Sequence, residues 1–316
     1  MKEIQQAVHY LKKNQLVAIP TETVYGLAGN IFSEKAIKNI FELKNRPLFN
    51  PLIVHISSSD QMGWYAREIP EKAYQLASKF WPGPLTLLLK KKNNIPDIIT
   101  AGKDTVALRL PNHKLTLKLL QNLDFPLAAP SANPFGSISP TNAQHVYDYF
   151  GEELPFILDG GPCTSGIEST IVGFENENPI VYRLGALSVE EIEEAIGPIR
   201  ITNHKEVNPN APGMLSKHYA PRTNTIVSDS IDAMIKKYER NKIGVITFST
   251  QFDFPAVHQY EILSKSRNFK EASRNLYSAM HRLDRMKLDL ILIEKLPHYD
   301  LGTSINDRLE RASKRE

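Results

Sequence analysis

Apolar positions recur along this chain with two periods. Short apolar runs bounded by Pro, Gly, Asn or Ser predict strands near Val17 and over 52–56, 85–89, 106–110, 127–129, 156–158, 170–174 and 180–182. Helical periodicity predicts helices over 3–13, 34–43, 71–79, 114–122, 142–150 and 189–195. In the second of these, Ser33 is placed to cap the N-terminus, and Ala36, Ile37, Ile40, Phe41 and Leu43 form one apolar face. The alternation of strands and helices predicts an α/β fold with a twisted, mixed sheet. Pro198, Pro209, Pro212, Gly213 and Pro221 then break the pattern amid polar residues. Beyond them an amphipathic 231–238, an apolar 243–248, a helix around 269–283 and a strand over 288–293 predict a smaller Rossmann-like α/β domain. The expected organisation is a first domain over 1–200, a linker or lid over 201–222 and a second domain over 223–316.

Composition supports two cores, since 316 residues with 41% apolar content exceed the usual size of one. No apolar run approaches the roughly 20 residues needed to cross a bilayer. The first residues, MKEIQQAVHYLKKNQ, read as a charged amphipathic helix rather than a signal peptide, so the expected location is the cytoplasm. Cys163 is the only cysteine, which excludes an intrachain disulfide and a cysteine-based zinc site; it reads as a small packing residue. Charge is uneven, with 19 Lys+Arg against 21 Asp+Glu over 1–200 and 19 against 14 over 201–316. That C-terminal excess lacks a dense basic stripe or an aromatic platform, so it is a weak basis for nucleic-acid binding. Lys90, Lys91 and Lys92 read as an exposed strand end, with weak contact to tRNA or another anionic partner as the second reading.

Three blocks carry candidate chemistry. The first runs from Ala18 to Ile56 and places PTET, then Lys44 and Arg46, then Asn50-Pro51-Leu52 within one strand-loop-helix-loop-strand unit. Lys44 and Arg46 leave the helix just before Pro47, on what reads as a solvent-facing loop. They suit a polyphosphate, the Arg as a planar fork and the Lys as a point charge; the alternative is a solvated C-terminal helix cap. The second block, 128–141, is a small-residue loop whose Ser131, Asn133, Ser139 and Thr141 offer short donors and acceptors, or form a plain turn. The third, 159–170, has glycines that permit backbone anion nests. Neither G-x-x-x-x-G-K-[ST] nor G-x-G-x-x-G occurs in the chain.

PTETVYGL, K-x-R-P with NPL, WPGPLT, the S-x-N loop and GIEST, in this order, resemble the threonylcarbamoyl-AMP synthase family with its YrdC-like domain. The resemblance covers about residues 5–197, and PGMLSKHYAP over 212–221 resembles the linker of the long, two-domain form. It implies a nucleotidyl transfer in which L-threonine, bicarbonate and ATP give threonylcarbamoyl-adenylate and pyrophosphate. The threonine amine and bicarbonate form a carbamate whose oxygen attacks the α-phosphorus of ATP. No protein nucleophile is required, so positioning and charge stabilisation are the expected means of catalysis. Magnesium is expected on the phosphates. The implied downstream partner is the complex that transfers threonylcarbamoyl to the adenosine beside the anticodon of ANN-reading tRNAs.

By motif, the resemblance implies a threonine pocket of Thr23, His55, Arg109, the Ala129 backbone and Ser169. The ATP side is implied at Lys44, Arg46, Asn50, Thr105, Ser131, Asn133, Ser139 and Arg183, with Tyr219 reaching in from the linker. Lys44 and Arg46 are the implied catalytic pair. Each residue has a plainer reading. Arg109 suits a structural ion pair beneath the sheet edge, His55 a core histidine, and Thr23 and Ser169 turn hydroxyls. Arg183 suits an outward-facing strand position, and Tyr219 a packing anchor. Two other functions compete: the carbamoyl-adenylate-forming module of hydrogenase maturation, whose relatives carry cysteine-rich zinc modules, and a non-catalytic RNA-binding module.

Overall fold

The computed structural model describes residues 2–202, 218–251 and 254–314. Pro209, Pro212 and Gly213, and with them most of the expected linker, lie outside the described residues. Among the described residues, nine strands form the first sheet: β1 (Val17–Ile19), β2 (Gly26–Asn30), β3 (Ile53–His55), β4 (Leu85–Lys90), β5 (Thr105–Arg109), β6 (Leu127–Ala128), β7 (Thr170–Glu175), β8 (Asn178–Arg183) and β9 (Arg200–Ile201). Their order is β1-β2-β6-β3-β5-β4-β7-β8-β9. The pairing is mixed, with β3 and β5 parallel, β4 antiparallel to β5, and β4 and β7 parallel.

The second sheet comprises β10 (Thr225–Ser228), β11 (Ile243–Thr247), β12 (Val257–Ile262) and β13 (Leu290–Glu294) in the order β10-β13-β11-β12. All of its pairings are parallel, and helices connect β10 to β11 and β12 to β13, in keeping with the Rossmann-like expectation. Helix Leu301–Ala312 closes this unit. One expected element differs. Residues 156–158 pair with β1 only through the isolated bridge between Ala18 and Ile157, because the chain turns away at once into Asp159-Gly160-Gly161.

The helices follow their apolar stripes. Helix Glu34–Lys44 buries Ala36, Ile37, Ile40 and Phe41, is capped by Ser33 Oγ accepting from Ala36 N, and ends on Asn45 in the left-handed region at φ 50°. Lys44 is therefore its last helical residue, buried on the inner side.

The two units share a core. Val24, Ile138 and Ile167 of the first unit pack in one cluster with Leu276, Met280 and Ile305 of the second. Helix Phe269–Asp284 lies along this seam and bonds to two loops of the first unit. Ser273 Oγ donates to Ser165 O (3.0 Å), Tyr277 Oη to Glu168 Oε2 (2.9 Å) and His281 Nε2 to Ser139 O (3.2 Å). Ser278 Oγ lies 2.9 Å from Thr141 Oγ1. The imidazole of His281 stacks on that of His145 with ring centres 3.8 Å apart.

Burial in this seam holds both imidazoles neutral. His145 is pushed down to about 3 by burial and then by His281, Arg285 and Arg282. His281 is pushed down to about 4 by burial, against its bond to Ser139 O. Between these values and the ordinary histidine value of about 6.5, the unfolded chain binds protons that the folded chain does not, so stability rises with pH. Acidification should therefore lower the melting temperature progressively between pH 6.5 and pH 5, and His145→Gln should flatten that slope. Thermal melts across this range check it; a melting temperature independent of pH in the wild type would contradict the buried neutral pair.

Candidate active site

The first-unit sheet delivers its polar residues to one place. The parallel register of β3 with β5 sets His55 beside Arg109, and β7 with β8 brings Arg183 beside Ile171, next to Ser169 and Thr170. Helix Glu34–Lys44 supplies Lys44 and Arg46 from its C-terminal end. The resulting cavity is lined by Arg46, Arg109, Ser131, Glu168, Arg183 and Tyr219, with Ala129, Pro51 and His218 beside them.

Its chief property is buried positive charge. Lys44, Arg46, Arg109 and Arg183 are 1%, 9%, 4% and 5% exposed. The Lys44 ammonium donates to Ser131 O at 2.5 Å and also to Asn133 O, so it ties the small-residue loop down. Arg46 donates to Asn50 O (3.2 Å) and Pro51 O (2.8 Å). Neither has a carboxylate partner among the described residues. Burial, and then the neighbouring Arg46, hold Lys44 well below the usual lysine range; burial, and then Arg183, pull Arg46 down. The expectation of a solvent-facing loop is thus corrected: Pro47 and the Asn45 cap turn the chain so that both cations point inward.

The threonine-side residues form a connected network. Thr23 Oγ1 lies 2.8 Å from Thr21 Oγ1 and accepts from Arg109 Nη2 at 2.8 Å. Arg109 Nη2 also lies 2.8 Å from Glu22 Oε1, while Arg109 Nε is buried with no partner among the described residues. The ion-pair reading of this arginine holds, since Glu22 fixes the guanidinium, while its Nε stays unpartnered among the described residues. His55 is driven down to about 3, first by burial and then by Arg109, and its Nδ1 has no partner among the described residues. Ser169 Oγ bonds Thr86 Oγ1 (2.7 Å) and accepts from Arg183 Nη2 (3.0 Å), and Ser169 O accepts from Arg183 Nε (3.1 Å). Arg183 thus points into the site, not outward. Ala129 lines the cavity, its N–H given to Ile53 O at 3.0 Å.

On the nucleotide side, Asn50 is fully buried and both of its amide atoms lack a partner among the described residues. An amide left unpartnered in a protein interior needs an external donor or acceptor. Asn133 donates to Pro134 O (2.9 Å) and Ser137 O (3.0 Å), leaving its Oδ1 without a partner among the described residues. Ser139 donates to Glu168 Oε1 at 2.6 Å. Thr105 does not line the cavity; it opens β5 two residues before Ala107, the partner of Ile53, and so stands level with Pro51. Tyr219 is wholly buried at φ 65°, with its ring 5.7 Å from that of Tyr277 and the Arg311 guanidinium 4.9 Å above it.

Sequence reasoning missed three contributors. Glu22 and Glu168 sit inside motifs that read as hydroxyl-rich turns, and a carboxylate there carries no periodic signal. His218 lines the cavity beside Tyr219, yet its T-shaped packing on Phe135 at 5.8 Å is a long-range contact. Cys163 is buried as expected. The Lys90-Lys91-Lys92 run is locally engaged: Lys90 pairs with Glu68, Lys91 with Asp97, and Lys92 donates to Gly63 O.

Comparison with known proteins agrees with this geometry. A Sua5/YciO/YrdC family model, described as telomere recombination, matches residues 9–185, and a model described as threonylcarbamoyl-AMP synthase, C-terminal domain, matches 187–314. A threonylcarbamoyl-AMP synthase of Pyrococcus abyssi is 43% identical over 325 residues, covering 98% of this chain and 94% of its own length. One from Bacillus subtilis is 37% identical, covering 98% and 93%. The crystal structure of P. abyssi Sua5 complexed with L-threonine superposes with a TM-score of 0.93 at 42% identity, covering 98% of this chain and 94% of that one. The matches run through both units, unlike a nucleotide-binding core borrowed by a different enzyme. This chain belongs to the threonylcarbamoyl-AMP synthase family, in its two-domain form.

Proposed function

We propose that this chain condenses L-threonine, bicarbonate and ATP into threonylcarbamoyl-adenylate and pyrophosphate. The observation that carries the reading is the buried pair Lys44 and Arg46, which have no carboxylate partner among the described residues; Arg46 lines the cavity with Arg183, and Lys44 holds the carbonyls of Ser131 and Asn133 at its edge. Burying cations without anions is costly, so the site is built for an anionic ligand. A triphosphate supplies the missing charge, and the unpartnered amide of Asn50 gives it a further contact. Arg109, held by Glu22, takes the amino-acid carboxylate through its available N–H. Thr23 and Ser169 are the hydroxyls that address the threonine side chain. His55, kept neutral, is available as a donor or acceptor without adding a further positive charge.

In this reading the carbamate oxygen of N-carboxythreonine forms a bond to the α-phosphorus while the bond to pyrophosphate breaks. Charge that builds on the leaving pyrophosphate is stabilised by Lys44, Arg46 and Arg183, already in place before reaction. Magnesium arrives with the nucleotide. Among the described residues no group of three His, Cys, Asp or Glu is placed to hold it, and Glu168, the carboxylate lining the cavity, is engaged by Ser139, Tyr277 and Arg308. The cavity's free volume is about 50 Å³, whereas small-molecule pockets hold roughly 300 Å³ or more. The segment bearing His218 and Tyr219 therefore has to withdraw as substrates enter and cover them afterwards, which keeps water from the mixed anhydride. The adenylate then passes to a complex that transfers threonylcarbamoyl to tRNA. Among the described residues no helix is long and apolar enough to cross a membrane, and we place the reaction in the cytoplasm.

Pyrophosphate release should require threonine, bicarbonate and ATP together, and omission of any one should abolish it. Pyrophosphate or ADP formed at the full rate without threonine would overturn the assignment. Lys44→Ala should lower kcat/KM by about a hundredfold to a thousandfold, the range for a lost transition-state cation or donor. Because the ammonium holds the carbonyls of Ser131 and Asn133, the same change should also lower the melting temperature and remove the stabilisation that ATP gives the wild type. Steady-state kinetics and melts with and without ATP check this; an unimpaired variant would remove Lys44 from the site.

A further inference from the structure

The carboxylate that lines the cavity is held from the other unit. Glu168 is 6% exposed. Its Oε1 accepts from Ser139 Oγ at 2.6 Å; its Oε2 accepts from Tyr277 Oη at 2.9 Å and lies 3.4 Å from Arg308 Nε. Tyr277 and Arg308 are themselves fully buried, on helices Phe269–Asp284 and Leu301–Ala312. Ser139 and Arg183 are both nucleotide-side residues in the reading above. Burial works against ionised Glu168, but Arg308, then Arg183 and Ser139 outweigh it, so the carboxyl stays below the usual glutamate range.

The contact is repeated along a helix face. Ser273, Tyr277 and His281 stand at i, i+4 and i+8, so their side chains share one face. In turn they bond Ser165 O, Glu168 and Ser139 O, which belong to the two loops that flank the cavity. The close seating depends on Gly166: a Cβ there would stand 2.4 Å from Arg274 Cα and 2.5 Å from Ser273 O. The same two side chains also frame Tyr219, with the Tyr277 ring at 5.7 Å and the Arg308 guanidinium at 5.6 Å.

We propose that Tyr277 and Arg308 are positioning residues for the first unit's site, fixing Glu168 and, through it, the Ser139 and Arg183 arrangement that receives ATP. The site is then incomplete without the C-terminal unit. That unit acts as a rigid buttress to the nucleotide loops, whereas Arg109, which takes the threonine carboxylate, is fixed by Glu22 of the first unit. This inference rests on the substrate assignment above only for the choice of probes.

The test uses the full chain with Tyr277→Phe, which removes one hydroxyl and keeps the ring. Binding of Mg-ATP and of L-threonine is measured separately by calorimetry, beside the melting temperature. The expected result is an ATP Kd raised about tenfold, the usual effect of losing a hydrogen bond to a charged group, with threonine Kd within twofold of wild type. Combined with Ser139→Ala, the second change should add less than it does alone, because both act through one carboxylate. Equal weakening of both ligands, or no change in either, would overturn the proposal. Arg308→Lys, which keeps the charge and loses the fork, should shift ATP in the same direction; should it fail to fold, Tyr277→Phe carries the test. A wild type that binds ATP but forms no threonylcarbamoyl-adenylate would sink the substrate assignment while leaving the ATP comparison intact.

Discussion

Everything around the cavity follows from the need to hold four cationic side chains inside a protein with few anions to balance them. Arg109 has Glu22 at 2.8 Å. Glu168 lies within the field of Arg183 but is also claimed by Arg308. Among the described residues, Lys44 and Arg46 have only carbonyl oxygens. Carbonyl dipoles satisfy the N–H groups without cancelling the charge, so the first unit carries repulsion that a bound polyphosphate would relieve. In the proposed function a nucleotide would meet groups already oriented, which is what catalysis by charge stabilisation requires.

That arrangement needs backbone held from several directions. Lys44 reaches from a helix end to the carbonyls of 131 and 133, and β8 carries Arg183 to the carbonyl of Ser169. The second unit supplies the remaining support through helix Phe269–Asp284 and through a core shared with Val24, Ile138 and Ile167. A repulsive cluster tends to spread its loops apart, and the seam is placed where it resists that. The domain boundary is therefore a division of the sheets, not of the packing.

The helices of the first unit were legible because their apolar stripes and caps are local: Ser33, Asn142 and Ser188 each accept from a backbone N–H three residues on. Strand β2 was not, since GLAGN has too little side chain to alternate, and β12, VHQYEI, is an edge strand with polar residues among its apolar ones. Helix Leu301–Ala312 was hidden by its charge: Arg308 and Arg311 interrupt the apolar stripe, yet both are buried, with their guanidinium groups over the Tyr219 ring. Most motif residues came together because they sit at strand ends or on loops beside them, with Lys44 at a helix end; Thr105 does not line the cavity. What the motifs did not disclose was direction. Nothing local says that Lys44 and Arg46 turn inward, or that Glu168 answers to residues more than 100 positions away.

The uncompensated charge of this cluster is measurable without turnover. At pH 8 to 9 free ATP carries no proton to exchange, so calorimetry in buffers of different ionisation enthalpy reports protons taken up by the protein alone. If Lys44 is held below its usual range until phosphate arrives, ATP binding to the wild type draws protons in, and the uptake grows as the pH rises across this range. Binding of ATP with no proton linkage across this range would mean that Lys44 already holds its proton in the free protein, and would contradict the depressed ammonium on which the account rests.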